Sequence, residues 1–404
     1  MILEGIRMIE WSSWQVGPIA GRLLASMGAE VIKIEDMKGG DPARAMQRVW
    51  GVGTRLSNDH SIHHELYNHS KKCICIDLNK TEGREIVYRL VSKSDIFIQN
   101  LRLGVAERMG MTYDILRQHN PKLIYANGRG LGPKGPDAHL ASMNEVGLAR
   151  SGIMFTPLGD SNPPTPVGGG LADQVTAIVL AFGLVSALLA RERLGIGQEI
   201  TTSQLAAMIT LNELPVAVTG FTNLKFPNRD RTCANNPLWN SYKCKEGRWI
   251  MLAHLQSDRY WTAFCTAIER PDLEHHPLFD NMVKREKNCR ELIRILDEVF
   301  LRRTYADWRG LLEKQRLIYT SVNDFNQLLE DPQVTANDYV TEYEHPVLGK
   351  IRLPSFPVRF HQTPAVDVRS PAPVYGQHTE DVLIEIGGYT WDELTKLKEK
   401  EVIP

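Results

Sequence analysis

The first third of the chain predicts an α/β fold built on a parallel sheet. Three observations carry that expectation: short apolar runs recur, helical patterns separate them, and glycine-rich or polar loops follow them. GIRMIEW (5–11) is the first strand. Pro18 suits the first turn of a helix running to about Met27, which Gly28 closes. EVIKIE (30–35) is the next strand, so the chain opens with a βαβ unit and a right-handed crossover. Residues 36–70 hold Gly, Pro, Arg and His without a period and read as a long loop, a length that is usually functional. CICIDL (73–78) is a strand, 81–93 a helix, and DIFIQN (95–100) and KLIYANGRG (122–130) are further strands. Open α/β sheets bind ligands where such strands end.

Residues 131–172 are Gly/Pro-rich, interrupted by a helix near 142–150; a long helix (173–193) and a strand–helix segment (198–212) follow. From 225 to 330 Cys, Trp, Arg and polar residues dominate, with amphipathic helices near 258–269 and 284–301. The expected organisation is a first domain over 1–224, a smaller α+β domain over 225–330, and a return to the first over 331–404. That tail combines extended Pro-rich segments (345–374) with a terminal helical pair.

Composition excludes several classes. A formal net charge of −1 provides no field to recruit nucleic acid or an anionic membrane, so any anionic ligand needs local groups. Cys73, Cys75, Cys233, Cys244, Cys265 and Cys289 form no CxxC pair and read as buried free thiols in a reducing compartment. No basic–apolar–small leader pattern opens the chain. The apolar run 175–190 is 16 residues, short of the ~20 that span a bilayer, and reads as a buried helix. A cytoplasmic protein without a membrane partner is expected. His63–His64 and His275–His276 lack ligand spacing, so no metal site is expected, and no GxGxxG-strand–helix unit, P-loop, HExxH or GxSxG is present.

Asp173 stands behind three glycines in GGGLADQ (168–174), at the start of the long helix. It reads either as an ordinary helix cap or as a carboxylate nucleophile held ionised by the helix end. Gln15, in the turn WQVGP, is either a turn residue or a donor to a developing oxyanion. Asn100, Arg102 and Arg108 lie at and beyond the end of DIFIQN. With Lys38, Arg44, Arg48 and Arg129 at other strand ends, these arginines are either solvated or gathered for a polyphosphate.

Seven blocks resemble one family in its own order: LEGIRMIEW…GPIAGRLLASMGAEVIKIE, GGDPAR (39–44), NHSKKCICIDLNKTEGREI (68–86), DIFIQNLRLGVAERMGM (95–111), NPKLIYANGRGLGPKGP (120–136), GGGLADQ, and GQHTEDVLIEIGGYTWDELTKLKEKEVI (376–403). The chain is similar to the family III (CaiB/BaiF) CoA-transferases. They include formyl-CoA, carnitine, 2-hydroxyacid and benzylsuccinate CoA-transferases and the related α-methylacyl-CoA racemases. The resemblance implies a Rossmann-like large domain, a small domain, and two subunits interlocked like chain links. It implies CoA thioesters as substrates with no permanently bound cofactor, and a homodimer or a heteromer with a paralogous subunit.

Residue by residue, the resemblance assigns the nucleophile to Asp173 and a supporting role to Gln15. Asn100 and Arg108 fall on positions that line the CoA site in relatives, and Arg129 falls where formyl-CoA transferase carries lysine. That enzyme has a basic residue where Met37 stands, with Lys38 as the substitute, and its glycine run has no counterpart near 235–260. NEVGLARSGIMF (144–155) looks more like members acting on aromatic or branched acids, and Trp11, Trp14, Trp50 and Met46 could wall an apolar site near Gln15. The resemblance implies transfer of CoA from a donor such as succinyl-CoA to an aromatic, branched or 2-hydroxy acid such as benzylsuccinate, through an aspartyl-CoA thioester. Two rivals stand beside it. One is an acyl-CoA racemase, whose histidine would fall near Met143 with His139 close by. The other is a CoA-binding subunit without activity of its own.

Overall fold

The computed structural model describes residues 1–57, 59–156, 163–224 and 230–404. The 157–162 part of the Gly/Pro-rich stretch and residues 225–229, where the second domain is expected to begin, lie outside the described residues. The chain divides into two compact units: 1–154 with 166–224 and 338–404, and 155–165 with 225–337.

In the first unit, β1 (Arg7–Trp11), α1 (Val16–Ser26), β2 (Glu30–Glu35), α2 (Ile62–Asn68), β3 (Lys72–Cys75), α3 (Thr81–Val91), β4 (Ile96–Gln99) and β5 (Ile124–Arg129) follow in order. They continue into α4 (Asn144–Arg150), α5 (Leu171–Leu194), β6 (Gln198–Ser203) and α6 (Gln204–Leu211). The six strands pair in parallel in the order β3-β2-β1-β4-β5-β6. This doubly wound order reverses between β1 and β4, and the crevice beyond those two strand ends is where such sheets take ligands. Apolar side chains fill both faces: Ile9, Ile32, Ile74 and Phe97 on one, and Met8, Val31, Ile98 and Ile124 on the other.

Charge also runs inside this sheet. Register sets Glu10 beside Lys33, both fully buried. Lys33 Nζ meets Glu10 at 3.1 Å and Asp41 at 2.9 Å, and donates to the Ser12 carbonyl at 2.8 Å; Lys71 Nζ meets the other Glu10 oxygen at 2.8 Å. Burial opposes charge here, yet Glu10 lies below and Lys33 above its ordinary value, because each faces the opposite sign. Asp41 also accepts the Trp14 N–H at 3.1 Å, fixing a non-glycine residue at φ 66° in the turn after β1.

Three expectations are corrected. The segment 36–70 is not one loop, because it contains α2, capped by Ser61 Oγ accepting from His64 N at 3.0 Å. The expected helix 284–301 is two helices, Met282–Lys287 and Cys289–Phe300, interrupted at Asn288. The apolar run near 175–190 belongs to a 24-residue helix, long and apolar enough to cross a bilayer by length and composition, and only half of its most apolar window is buried. Its core face carries Ala177, Leu180, Leu184 and Leu188. Its other face leaves Ile178, Phe182, Val185 and Leu189 exposed, at the spacing of one helical stripe.

The second unit has a three-stranded antiparallel sheet in the order Tyr319–Val322, Trp249–Leu252, Ser241–Lys243. Helices Ser257–Ala267 and Cys289–Phe300 contribute Trp261, Phe264, Leu296 and Phe300 to its core, which Trp308 joins. Arg285, buried, stacks on Trp261 with its guanidinium carbon 4.4 Å from the ring. All six cysteines are free; Cys73, Cys75, Cys244 and Cys265 are buried, whereas Cys233 and Cys289 are half-buried. Among the described residues no group of three or more His, Cys, Asp or Glu side chains is arranged to hold a metal ion.

Candidate active site

A cavity of about 480 Å³ opens in the first unit beyond the ends of β1, β4, β5 and β6, at the N-termini of α1 and α5. Asp173 and Gln15 both line it. Gly169 and Gly170 take φ of 82° and 71°, which glycine adopts without a steric penalty, and Gly170 closes the turn that starts α5. A side chain at Gly170 would also come 2.9 Å from Gln15 Oε1 and push that amide aside.

Asp173 is the third residue of α5 and makes no cap. That duty falls to Asn144, whose Oδ1 accepts from Ala172 N at 2.9 Å. The carboxylate of Asp173 instead accepts from Gln204 Nε2. Only 8% of Asp173 is exposed, and burial pushes its carboxyl up from 3.8 to about 6; the Gln204 hydrogen bond opposes this and the charge of Glu145 adds to it. Desolvation outweighs the hydrogen bond, yet a carboxyl at about 6 is still mostly ionised at neutral pH.

Gln15 occupies the cap position of α1, and its side chain makes no cap bond either. Its Oε1 is buried with no hydrogen-bond partner among the described residues. The turn that aims it is clamped across the switch point: Asn100 accepts from Ser13 N at 3.0 Å and donates to Ser13 O at 2.7 Å. Asn100 lines the cavity, but both ends of its amide are spent on that clamp.

The candidate cations separate. Arg129 lines the main cavity, held only by 3.4 Å contacts to Leu101 O and Asn127 Oδ1, with its Nε unpartnered. Arg48 lines it too. Lys38 is exposed and lines a second cavity of about 440 Å³ with Trp11, Ile34, Ile76, Leu78 and Met109; Ser13 lines both cavities. Arg102 and Arg108 are exposed and line neither. Arg44 is a correction: its Nε and Nη2 grip Glu35 at 2.7 and 3.0 Å and Nη2 also reaches Pro373 O, so it braces the fold rather than facing a cavity.

Trp14, Met46, Val49 and Trp50 give the main cavity an apolar wall, while Trp11 belongs to the second cavity. Sequence reading missed Gln204, Ser142, Asn144, His63 and Tyr67, all of which line the main cavity. Gln204 carried a usable signal, since it follows a parallel strand directly. His63, half-buried and lowered by that burial, presents a neutral imidazole at neutral pH.

Comparison with known proteins fits this geometry. The family model for CoA-transferase family III matches residues 3–379. The (R)-2-hydroxy-4-methylpentanoate CoA-transferase of Clostridioides difficile is 31% identical over all of both chains. The cinnamoyl-CoA:phenyllactate CoA-transferase of Clostridium sporogenes is 30% identical, over 100% of this chain and 97% of its own. Among solved structures, a CaiB/BaiF family protein from Brucella suis superposes with a TM-score of 0.83 at 24% identity, covering 95% of this chain and 99% of its own. The chain belongs to family III of the CoA-transferases and is an enzyme of that class.

Proposed function

We propose that this chain moves CoA from a donor acyl-CoA, such as succinyl-CoA, to a branched, aromatic or 2-hydroxy acid, such as benzylsuccinate, through an aspartyl-CoA thioester on Asp173. The observation that carries the reading is a buried carboxylate that caps nothing and opens on a cavity with a tryptophan- and methionine-lined wall. Relatives named for 2-hydroxy-4-methylpentanoate and phenyllactate support a 2-hydroxy acid with an apolar side chain.

Ionised Asp173 attacks the donor thioester carbonyl; the carbon–sulfur bond breaks and CoA leaves as thiolate, giving a mixed anhydride. The thiolate attacks the Asp173 carbonyl carbon, and the donor acid leaves as carboxylate. The acceptor carboxylate then attacks the aspartyl thioester and expels CoA thiolate. The thiolate attacks the acceptor's carbonyl, and Asp173 departs as carboxylate. No proton is gained or lost, and no external energy is needed, because the net reaction exchanges one CoA thioester for another. Gln15 and backbone N–H groups are placed in this reading as oxyanion donors, each worth ~3 kcal/mol. The second cavity takes the nucleotide end of CoA, with Lys38 toward its phosphates and the pantetheine arm passing Ser13 to reach Asp173. Arg129 guards the thioester end; Arg102 and Arg108 serve at most the outer phosphates.

Asp173→Ala is expected to abolish turnover while acyl-CoA still binds; wild-type turnover in that variant would sink the scheme. A second reading, α-proton exchange of an acyl-CoA, is favoured by one observation: His63 shares the cavity with Asp173. Deuterium wash-in at the α-carbon without an acid acceptor would mark it. Activity of the purified chain alone tests the proposal that it is the working subunit rather than a supporting one. The exposed stripe on α5 supports a second copy packed there, as an interlocked dimer requires, and six free cysteines support a reducing compartment, the cytoplasm.

A further inference from the structure

The two oxygens of Asp173 are not equivalent. Oδ1 accepts from Gln204 Nε2, while Oδ2 takes no hydrogen bond from any described residue. An ionised carboxylate can only accept, so Gln204 must turn its NH₂ toward Asp173 and leave Oε1 on the far side. There Ser142 Oγ donates to Oε1 at 2.5 Å, which fixes the amide in that sense. The amide is gripped as well as oriented. Gln204 is 4% exposed, and a side chain at Gly147 would come within 2.9 Å of Gln204 Cβ, so α4 packs directly on its stem. Leu205 N donates to Gly130 O at 3.1 Å, tying the start of α6 to the end of β5.

A fixed donor on one oxygen decides which oxygen reacts. Oδ2, unheld, forms the bond to the donor acyl carbon. Oδ1 then becomes the carbonyl oxygen of the anhydride and later of the aspartyl thioester. When CoA thiolate, or afterwards the acceptor carboxylate, attacks the Asp173 carbonyl carbon, negative charge gathers on Oδ1. The charge returns to form the C=O bond as the leaving carboxylate or thiolate departs. We infer that Gln204 is a catalytic residue whose Nε2–H receives this oxyanion, and that Ser142 is the positioning residue that keeps the amide turned toward it. The donor is in place before the charge develops, the condition under which such bonds accelerate a reaction most. This rests on Asp173 being the nucleophile, and it differs from the role given to Gln15, which serves the acyl carbonyls of the substrates.

The test compares Gln204→Leu, Ser142→Ala and Asp173→Ala for steady-state turnover, donor KM, acyl-CoA binding, and release of donor acid from donor acyl-CoA alone. Gln204→Leu is expected to lower kcat and the release rate ~100- to 1,000-fold, with donor KM within about twofold of wild type. Its acid limb in the pH profile should move up, because Asp173 loses the bond that favours its charge. Ser142→Ala is expected to lower kcat about tenfold at unchanged KM, with Ser142→Thr restoring it. Gln204→Leu turning over within about threefold of wild type, with Asp173→Ala inactive, would overturn this inference alone. An active Asp173→Ala would overturn the nucleophile and this inference together. If Gln204→Leu does not fold, Ser142→Ala decides, and an unchanged kcat there counts against the inference.

Discussion

Asp173 carries a conflict between chemistry and stability. In the proposed reaction it must ionise to attack, yet only 8% of it is exposed and burial holds its carboxyl at about 6 instead of 3.8. Below about pH 3 the group is neutral in both folded and unfolded chains and costs nothing. As the pH rises from about 4 to about 6, the unfolded chain releases its proton while the folded one, held back by burial, keeps it, so stability falls across that window. The loss levels off at about 3 kcal/mol above that range. Asp173→Asn removes the ionisation, and the Oδ1 of the new amide can still accept from Gln204 Nε2. Urea unfolding at pH 3 and pH 8 should therefore show the variant up to about 3 kcal/mol more stable than wild type at pH 8 and equal to it at pH 3. A variant equally destabilised at both pH values would contradict the burial cost. A buried ionising group that weakens its own fold is what a site selected for function rather than stability would contain.

At the scale of elements, the strands held charge that their apolar pattern concealed. GIRMIEW and EVIKIE read as strands because most of their residues are apolar, and they are strands. Only the register shows that Glu10 and Lys33 lie side by side, and only the tertiary fold adds Asp41 and Lys71. Lys33→Met leaves two buried carboxylates short of a partner and should cost about 3–5 kcal/mol in thermal or urea unfolding. Adding Glu10→Gln and Asp41→Asn should recover part of that loss, whereas additive losses would mean the groups do not act as a cluster. The same reason explains what else was illegible. Helix α2, IHHELYN, buries His64, Glu65 and Asn68, so polar contacts hold it and no apolar period marks it. Glu65 alone accepts from Ala372 N at 2.9 Å and meets His345 at 3.1 Å, partners some three hundred residues away. A glycine run and a strand-end turn singled out Asp173 and Gln15 as candidates, but their local pattern fitted a cap or a turn equally, and only the family resemblance gave them roles. Gln204 offered only its place directly after a parallel strand, and Ser142 and His63 not even that, since their meaning comes from which side chain lies opposite.

At the scale of the whole molecule, the open question is what covers α5. Ile178, Phe182, Val185 and Leu189 lie along one face, with Phe182 72% exposed, and Leu214 and Phe221 in Glu213–Thr222 are 68% and 89% exposed. Contiguous apolar surface of this kind marks an interface. A C₂ dimer would use the same patch on both copies, so one substitution removes two contacts at once. The alternative occupant is a bilayer, which α5 could cross by length alone; but its opposite face is committed to the sheet through Ala177, Leu180 and Leu184, and crossing would require dismantling that core. Sedimentation of the purified chain should therefore give a dimer without detergent. Phe182→Glu, which puts a charge at the middle of the stripe, should shift it toward monomer at micromolar concentration while leaving the far-ultraviolet dichroism unchanged. A wild-type monomer in sedimentation, or a Phe182→Glu dimer as tight as wild type, would mean that the stripe is not the contact between copies.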